Sequence, residues 1–178
     1  GGRNSFTYAA NHSERIKALV IVDAAPQNMV DGTDNIRRFV QQIDELGSID
    51  EFVERIQKFN PRRGVEQIRG SILHNLKQLP SGKWTWKYDK LLRSPDRRLG
   101  SDPQMTDRLW SYVESLKCPT LVVRGGASDV VALDTAEAMQ RRIPNGTMAT
   151  VENAGHLVMG DNPMGFQRAV TEFLAGLS

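Results

Sequence analysis

The chain has 178 residues, 23 Lys and Arg against 21 Asp and Glu, a net charge of +2 and 39% hydrophobic residues, an ordinary globular composition. The near balance of charge gives no electrostatic reason to expect nucleic acid or an anionic membrane as partner, and no apolar run approaches the roughly 18 residues of a membrane span. A single cysteine, Cys118, makes no internal disulfide and with three scattered histidines gives no zinc-ligand spacing, so no metal and a reducing, cytoplasmic setting are expected.

Residues 1–13 carry neither the basic leader nor the apolar stretch of a signal peptide. Asn4–Ile16 predicts a helix with Phe6, Ala9 and Ala10 on one face. Ala18–Asp23 is short, rich in β-branched residues and followed by Ala24-Ala25-Pro26, which predicts a buried strand ended by a turn. The texture then changes. Ile36, Phe39, Val40 and Ile43 have helical spacing, as do Phe52, Val53, Ile56 and Phe59, and then Val65, Ile68, Ile72 and Leu76. Pro103, after the cap candidate Asp102, opens a further helix with Leu109, Trp110, Val113 and Leu116. Pro119–Arg124, ended by Gly125-Gly126, and the weaker Met148–Val151 predict two more strands. Between them Asp134–Ile143 predicts a helix capped by Asp134, with Glu137 three positions on, and stopped by Pro144-Asn145-Gly146. Asn162-Pro163 opens a last helix whose buried stripe is Phe166, Val170, Phe173, Leu174 and Leu177.

This alternation predicts an α/β fold: a parallel sheet covered on both faces, formed by residues 1–26 and 117–178 and interrupted by a mostly helical insertion over 27–116. Residues just past the ends of parallel strands meet along one edge, where open α/β sheets bind ligands. Asp23, Asp129 and His156 all fall there. The insertion leaves from the same edge and is expected to lie over it as a lid.

Gly125-Gly126-Ala127-Ser128-Asp129 puts a carboxylate in a tight loop after one strand, and Gly155-His156 puts an imidazole in another after the next. A carboxylate beside a histidine holds one tautomer and stabilises the imidazolium formed when the histidine acts as general base. No nucleophile accompanies them. Cys118 starts its strand, on the wrong edge for His156; Ser5 and Ser13 lie on a helix with no turn to expose them; His12 and His74 read as solvated helix positions.

Several segments, in order, resemble the C-terminal part of an α/β-hydrolase-fold enzyme. Gly1-Gly2-Arg3-Asn4 resembles the stretch just after the nucleophile in the elbow motif G-x-S-x-G-G. His12-Ser13-Glu14-Arg15-Ile16 running into Leu19–Asp23, Cys118-Pro119-Thr120 running into Gly125–Asp129, and Asn153-Ala154-Gly155-His156 before Gly160-Asp161-Asn162-Pro163 resemble the later strands and the histidine loop. The resemblance implies hydrolysis of a small apolar ester or related acyl substrate without metal or cofactor. His156 would be the general base and Asp129 its acid, with a serine nucleophile two positions before Gly1 in an N-terminal portion of the same fold. That portion would also cover the edge of the Ala18–Asp23 strand. Some members take the acid from the preceding strand, which makes Asp23 the rival; Ser128, in the acid's place by an alternative count from the glycines, cannot serve as the acid. Val130 and Leu157, which flank the acid and base, and Trp110 are candidate substrate contacts, although Trp84, Trp86, Tyr88 and Trp110 equally suit a core of the lid itself. An aspartate nucleophile would instead imply an epoxide or haloalkane hydrolase, with Tyr88 and Tyr112 as candidate lid tyrosines. A non-catalytic binding relative is the third reading.

Overall fold

The computed structural model describes residues 1–94 and 103–177. In chain order they form helix α1 (Gly2–Asn11), strand β1 (Leu19–Val22), helices α2 (Val30–Val40), α3 (Ile49–Phe59) and α4 (Val65–Ile72), and strands β2 (Leu76–Gln78) and β3 (Trp84–Trp86). Helix α5 (Pro103–Glu114), strand β4 (Thr120–Gly125), helix α6 (Leu133–Arg142), strand β5 (Gly146–Val151) and helices α7 (Val158–Asp161) and α8 (Pro163–Ala175) complete the chain. It divides into two compact units, Gly1–Thr33 with Gly100–Ser178, and Asp34–Leu99.

The first unit is built on a parallel sheet of order β1-β4-β5, with Val22 beside Val123 and Gly125 beside Val151. Being in the middle, β4 is buried along its whole length. Leu121, Val123, Val151, Ala154 and Val158 form a core under Phe166, Val170 and Phe173 of α8. Leu174 and Leu177, expected in the same stripe, are exposed. Asn162 caps α8 as its sequence predicts, its Oδ1 accepting the Gly165 N–H at 2.9 Å. Helix α6 differs: Ala132 takes the cap position and Asp134 sits in the first turn. Helix α5 packs against α1 in this unit, burying Leu109 and Val113. The candidate cap Asp102 lies outside the described residues.

The second unit has its own core of Phe52, Val53, Ile68, Ile72 and Leu76, with Trp84 and Trp86 packed on it. Leu76 does not close a helix, as its spacing suggests, but begins an antiparallel hairpin of β2 with β3. Its turn contains Gly82 at φ 82°, a conformation that glycine adopts without steric cost. Leu46 bridges to Trp84 and widens the hairpin. Ile43, which continues the helical spacing of Ile36, Phe39 and Val40, lies beyond the end of α2 and is exposed. Among the described residues no helix is long and apolar enough to cross a membrane.

Candidate active site

All three parallel strands end at one edge of the sheet, and three turns project there. The first carries Asp23, which donates its N–H to Val123 O at 2.8 Å and holds φ at 43°. Few residues other than glycine adopt this left-handed region, and aspartate is among those that tolerate it. Arg3 of α1 steadies the same turn: its Nε donates to Ala25 O at 2.9 Å and its guanidinium to Pro26 O at 3.1 Å, and burial lowers its pKa from the ordinary arginine value.

The second turn leaves β4. A Cβ on Gly125 would lie 2.2 Å from Gly155 O and 2.7 Å from Ala154 O, so only glycine lets the third turn cross here. Gly126 N–H donates to Val151 O and Ala127 N–H to Ala154 O, both at 2.8 Å, which zips the two turns together. Ser128 Oγ accepts the N–H groups of Val130 and Val131, each at 3.1 Å.

The third turn, after β5, has Asn153 at φ 57° and is closed by Asp161, whose Oδ2 accepts the Gly155 N–H at 2.8 Å. It delivers His156, whose Nδ1 lies 2.9 Å from Asp23 Oδ2. Asp23 Oδ2 also accepts the Ser128 hydroxyl at 2.7 Å, and Oδ1 accepts the Gly125 N–H at 3.1 Å. The Asp23 side chain is fully buried whereas that of His156 is 38% exposed. An ionised carboxylate only accepts hydrogen bonds, so beside one Nδ1 is the donor, and in the neutral imidazole that leaves Nε2 with the lone pair. Such an arrangement can serve as a base whose tautomer is set from behind.

His156 thus sits on the expected edge with a carboxylate behind it, but the expected carboxylate is corrected. The place on Nδ1 predicted for Asp129 is held by Asp23. Asp129 is exposed, and its backbone carbonyl is turned to Gly32, so close that a Cβ there would lie 2.0 Å away. The physical reason is that Ser128, not Asp129, points inward from the β4 loop and meets Asp23. Val130 is buried, its N–H donating to Ser128 Oγ and its carbonyl accepting the Met29 N–H; Leu157, beside the imidazole in sequence, is exposed. The placement of Trp110 is corrected as well. The Arg142 guanidinium covers its ring at 4.5 Å from the centroid, and Arg142 ends α6 just before β5 begins, at the opposite edge of the sheet from His156. Tyr88 stacks on Trp86 in the second unit, and burial raises its phenol pKa. Cys118 is buried. Ser128, whose hydroxyl donates to Asp23, is a site residue that the sequence signals only by its spacing from Gly125.

The sequence matches the α/β hydrolase fold family over residues 1–163. It is 30% identical over 184 residues to an esterase of Mycobacterium tuberculosis, covering 99% of this chain and 57% of that protein. The solved structure of that esterase superposes with a TM-score of 0.75 at 27% identity, over 98% of this chain and 58% of the other. A sn-1-specific diacylglycerol lipase of Mus musculus is 27% identical over 188 residues, covering 98% of this chain and 56% of the lipase. The chain therefore spans a little over half the length of these curated relatives.

Proposed function

Because the chain belongs to the α/β hydrolase fold family, we propose that it carries the acid–base half of an ester-hydrolysing site, with His156 as general base and Asp23 as the carboxylate that orients it. The hydrogen bond from His156 Nδ1 to Asp23 Oδ2, with Nε2 left at the sheet edge, is the observation that carries this reading. The nucleophile is a serine in the segment before Gly1, as the likeness of Gly1-Gly2-Arg3-Asn4 to the end of the elbow motif suggests. Nε2 takes the serine proton as the hydroxyl attacks the ester carbonyl and returns it to the leaving alcohol. Water, deprotonated by the same nitrogen, then releases the acid. Asp23 stays ionised throughout and stabilises the transient imidazolium.

The esterase and lipase relatives favour an ester as substrate. Exposed apolar side chains at Leu157 and Met159, close to His156 in sequence, favour an apolar acyl group. A fluorophosphonate probe applied to the natural protein that contains this sequence, followed by peptide mapping, tests the proposal. Label on a serine two positions before Gly1, blocked by a nitrophenyl ester substrate, is expected. Absence of label together with absence of ester turnover overturns it.

A further inference from the structure

Strand β4 carries one ionised side chain, Arg124, in a run that is otherwise apolar, small or hydroxylic. The residue is buried, at 9% exposure. A guanidinium held there needs strong compensation. Its bonds all go to main-chain carbonyls of one loop: Nε donates to Val131 O at 2.9 Å, and the two terminal nitrogens donate to Gly126 O at 3.1 Å and Ser128 O at 3.4 Å. Residues 126–131 lie outside any helix or strand, so their carbonyls have no ladder to satisfy them. One planar fork does that work for three of them.

The loop so held is the one that presents Ser128. The Ser128 hydroxyl is fixed twice over, by the N–H groups of Val130 and Val131 that it accepts and by the Asp23 carboxylate to which it donates. Arg124 grips the carbonyls of Ser128 and of Val131, on either side of those contacts. We propose that Arg124 is a positioning residue for the acid–base pair: it holds the β4 loop so that Ser128 keeps Asp23 Oδ2 aimed at His156 Nδ1. The inference rests on the catalytic reading of His156 and Asp23 given above. The role belongs to the fork rather than to the charge. Three acceptors strung along a loop match the planar donors of arginine, whereas an ammonium radiates its donors from one point.

The test uses the natural protein that contains this sequence, with Arg124→Met, Arg124→Lys, Ser128→Ala and the double variant Arg124→Met/Ser128→Ala. Nitrophenyl ester kinetics are read beside the proton NMR signal of the His156 Nδ1 hydrogen. Arg124→Met is expected to lower kcat by about tenfold or more with KM within about twofold, the scale of losing a hydrogen bond to a charged group. It is also expected to broaden or remove the Nδ1 signal. The double variant is expected to be no slower than the slower single variant, because both act through one contact; a merely structural arginine gives losses that multiply. Arg124→Lys keeps the charge and stem and carries the test if the methionine variant fails to fold. It is expected to fall between wild type and Arg124→Met. Multiplying losses, or a lysine variant with wild-type kcat and an unchanged Nδ1 signal, overturns the proposal. A signal present in the wild type and lost in Arg124→Met, in a protein that turns over no ester, upholds the role of Arg124 and removes the ester reading instead.

Discussion

The substitution that separates the two candidate carboxylates most sharply is Asp23→Asn, set beside Asp129→Asn. At position 23 the amide must place one oxygen and one NH2 where two acceptor oxygens stood. The Oδ1 site faces the Gly125 N–H, which the backbone fixes, whereas the Oδ2 site faces the Ser128 hydroxyl and His156 Nδ1. An NH2 at the first site opposes an immovable donor and leaves it unsatisfied in a buried place, at a cost of about 1–3 kcal/mol. An NH2 at the second site is the lesser conflict: the imidazole can change tautomer to accept it, although the Ser128 hydroxyl, whose oxygen already accepts the Val130 and Val131 N–H groups, loses its acceptor. The amide therefore turns its NH2 toward His156, Nδ1 becomes the acceptor, and the proton moves to Nε2. A base that already carries its proton cannot take one from the nucleophile.

The expected loss in kcat is about 10⁴-fold, roughly 5 kcal/mol of transition-state stabilisation, the scale of the same change in a serine protease triad. The fold should survive, since asparagine also tolerates the left-handed φ of 43°. Asp129→Asn alters an exposed residue and should leave kcat/KM within about threefold. Steady-state hydrolysis of a short-chain nitrophenyl ester, with thermal melting of each variant as the control, measures both. An Asp129→Asn enzyme slowed by orders of magnitude beside a nearly unaffected Asp23→Asn enzyme would refute the assignment of Asp23.

Three further outcomes are expected. His156→Ala should lower kcat by about 10³-fold or more with the melting temperature nearly unchanged, because its imidazole is part-exposed; near-wild-type turnover removes it from the mechanism. Ser128→Ala deletes the hydroxyl bond to Asp23 and orphans the Val130 and Val131 N–H groups, so kcat should fall about tenfold and the melting temperature should drop as well. A variant matching wild type in both would show that the hydroxyl does nothing. Gly125→Ala forces a Cβ to within 2.2 Å of Gly155 O, which should cost about 1–3 kcal/mol in stability and carry His156 away from Asp23; calorimetry and kcat read the two effects separately, and an unaffected protein contradicts the crossing of the turns.

β1 and β4 were legible because buried parallel strands are written as short runs of Val, Ile and Leu; β5, only partly buried and lacking such a run, was the weaker, and the edge was legible because the strands stop at Ala-Pro, Gly-Gly or Asn-Ala-Gly. The cap at Asn162 was legible for a similar reason: Asn followed by Pro is local chemistry. The choice between Asp23 and Asp129 was not, since both lie at that edge and periodicity places a residue without aiming its side chain. The same limit applies to Trp110. Its partner, Arg142, comes from a helix beyond the next strand, and nothing in the helical spacing of Leu109, Trp110 and Val113 announces it. The β2–β3 hairpin escaped because a strand of three residues is too short to display alternation, and Leu76 completed an apparent helical period.

Which carboxylate meets His156 is a consequence of strand spacing once Gly125 is considered. Neighbouring strands lie about 4.8 Å apart, so β5 and β1, on either side of β4, are separated by about 10 Å. A histidine loop rising straight from β5 would leave the imidazole over the end of β5, within reach of a carboxylate on the neighbouring β4 loop. Instead the loop leans across. Ala154 O takes the Ala127 N–H, and the carbonyls of Ala154 and Gly155 occupy the space where a side chain at position 125 would stand. Having crossed β4, the imidazole meets the first carboxylate beyond it, which is Asp23. The β4 loop is then left with the gap beside that carboxylate to fill. A second carboxylate in the gap would repel the first, whereas a hydroxyl can donate to it, and Ser128 does so at 2.7 Å. A carboxylate at the end of β1, a glycine at 125 and a serine at 128 are therefore parts of one arrangement: the glycine lets the histidine loop cross, and the serine fills the gap beside the carboxylate it meets.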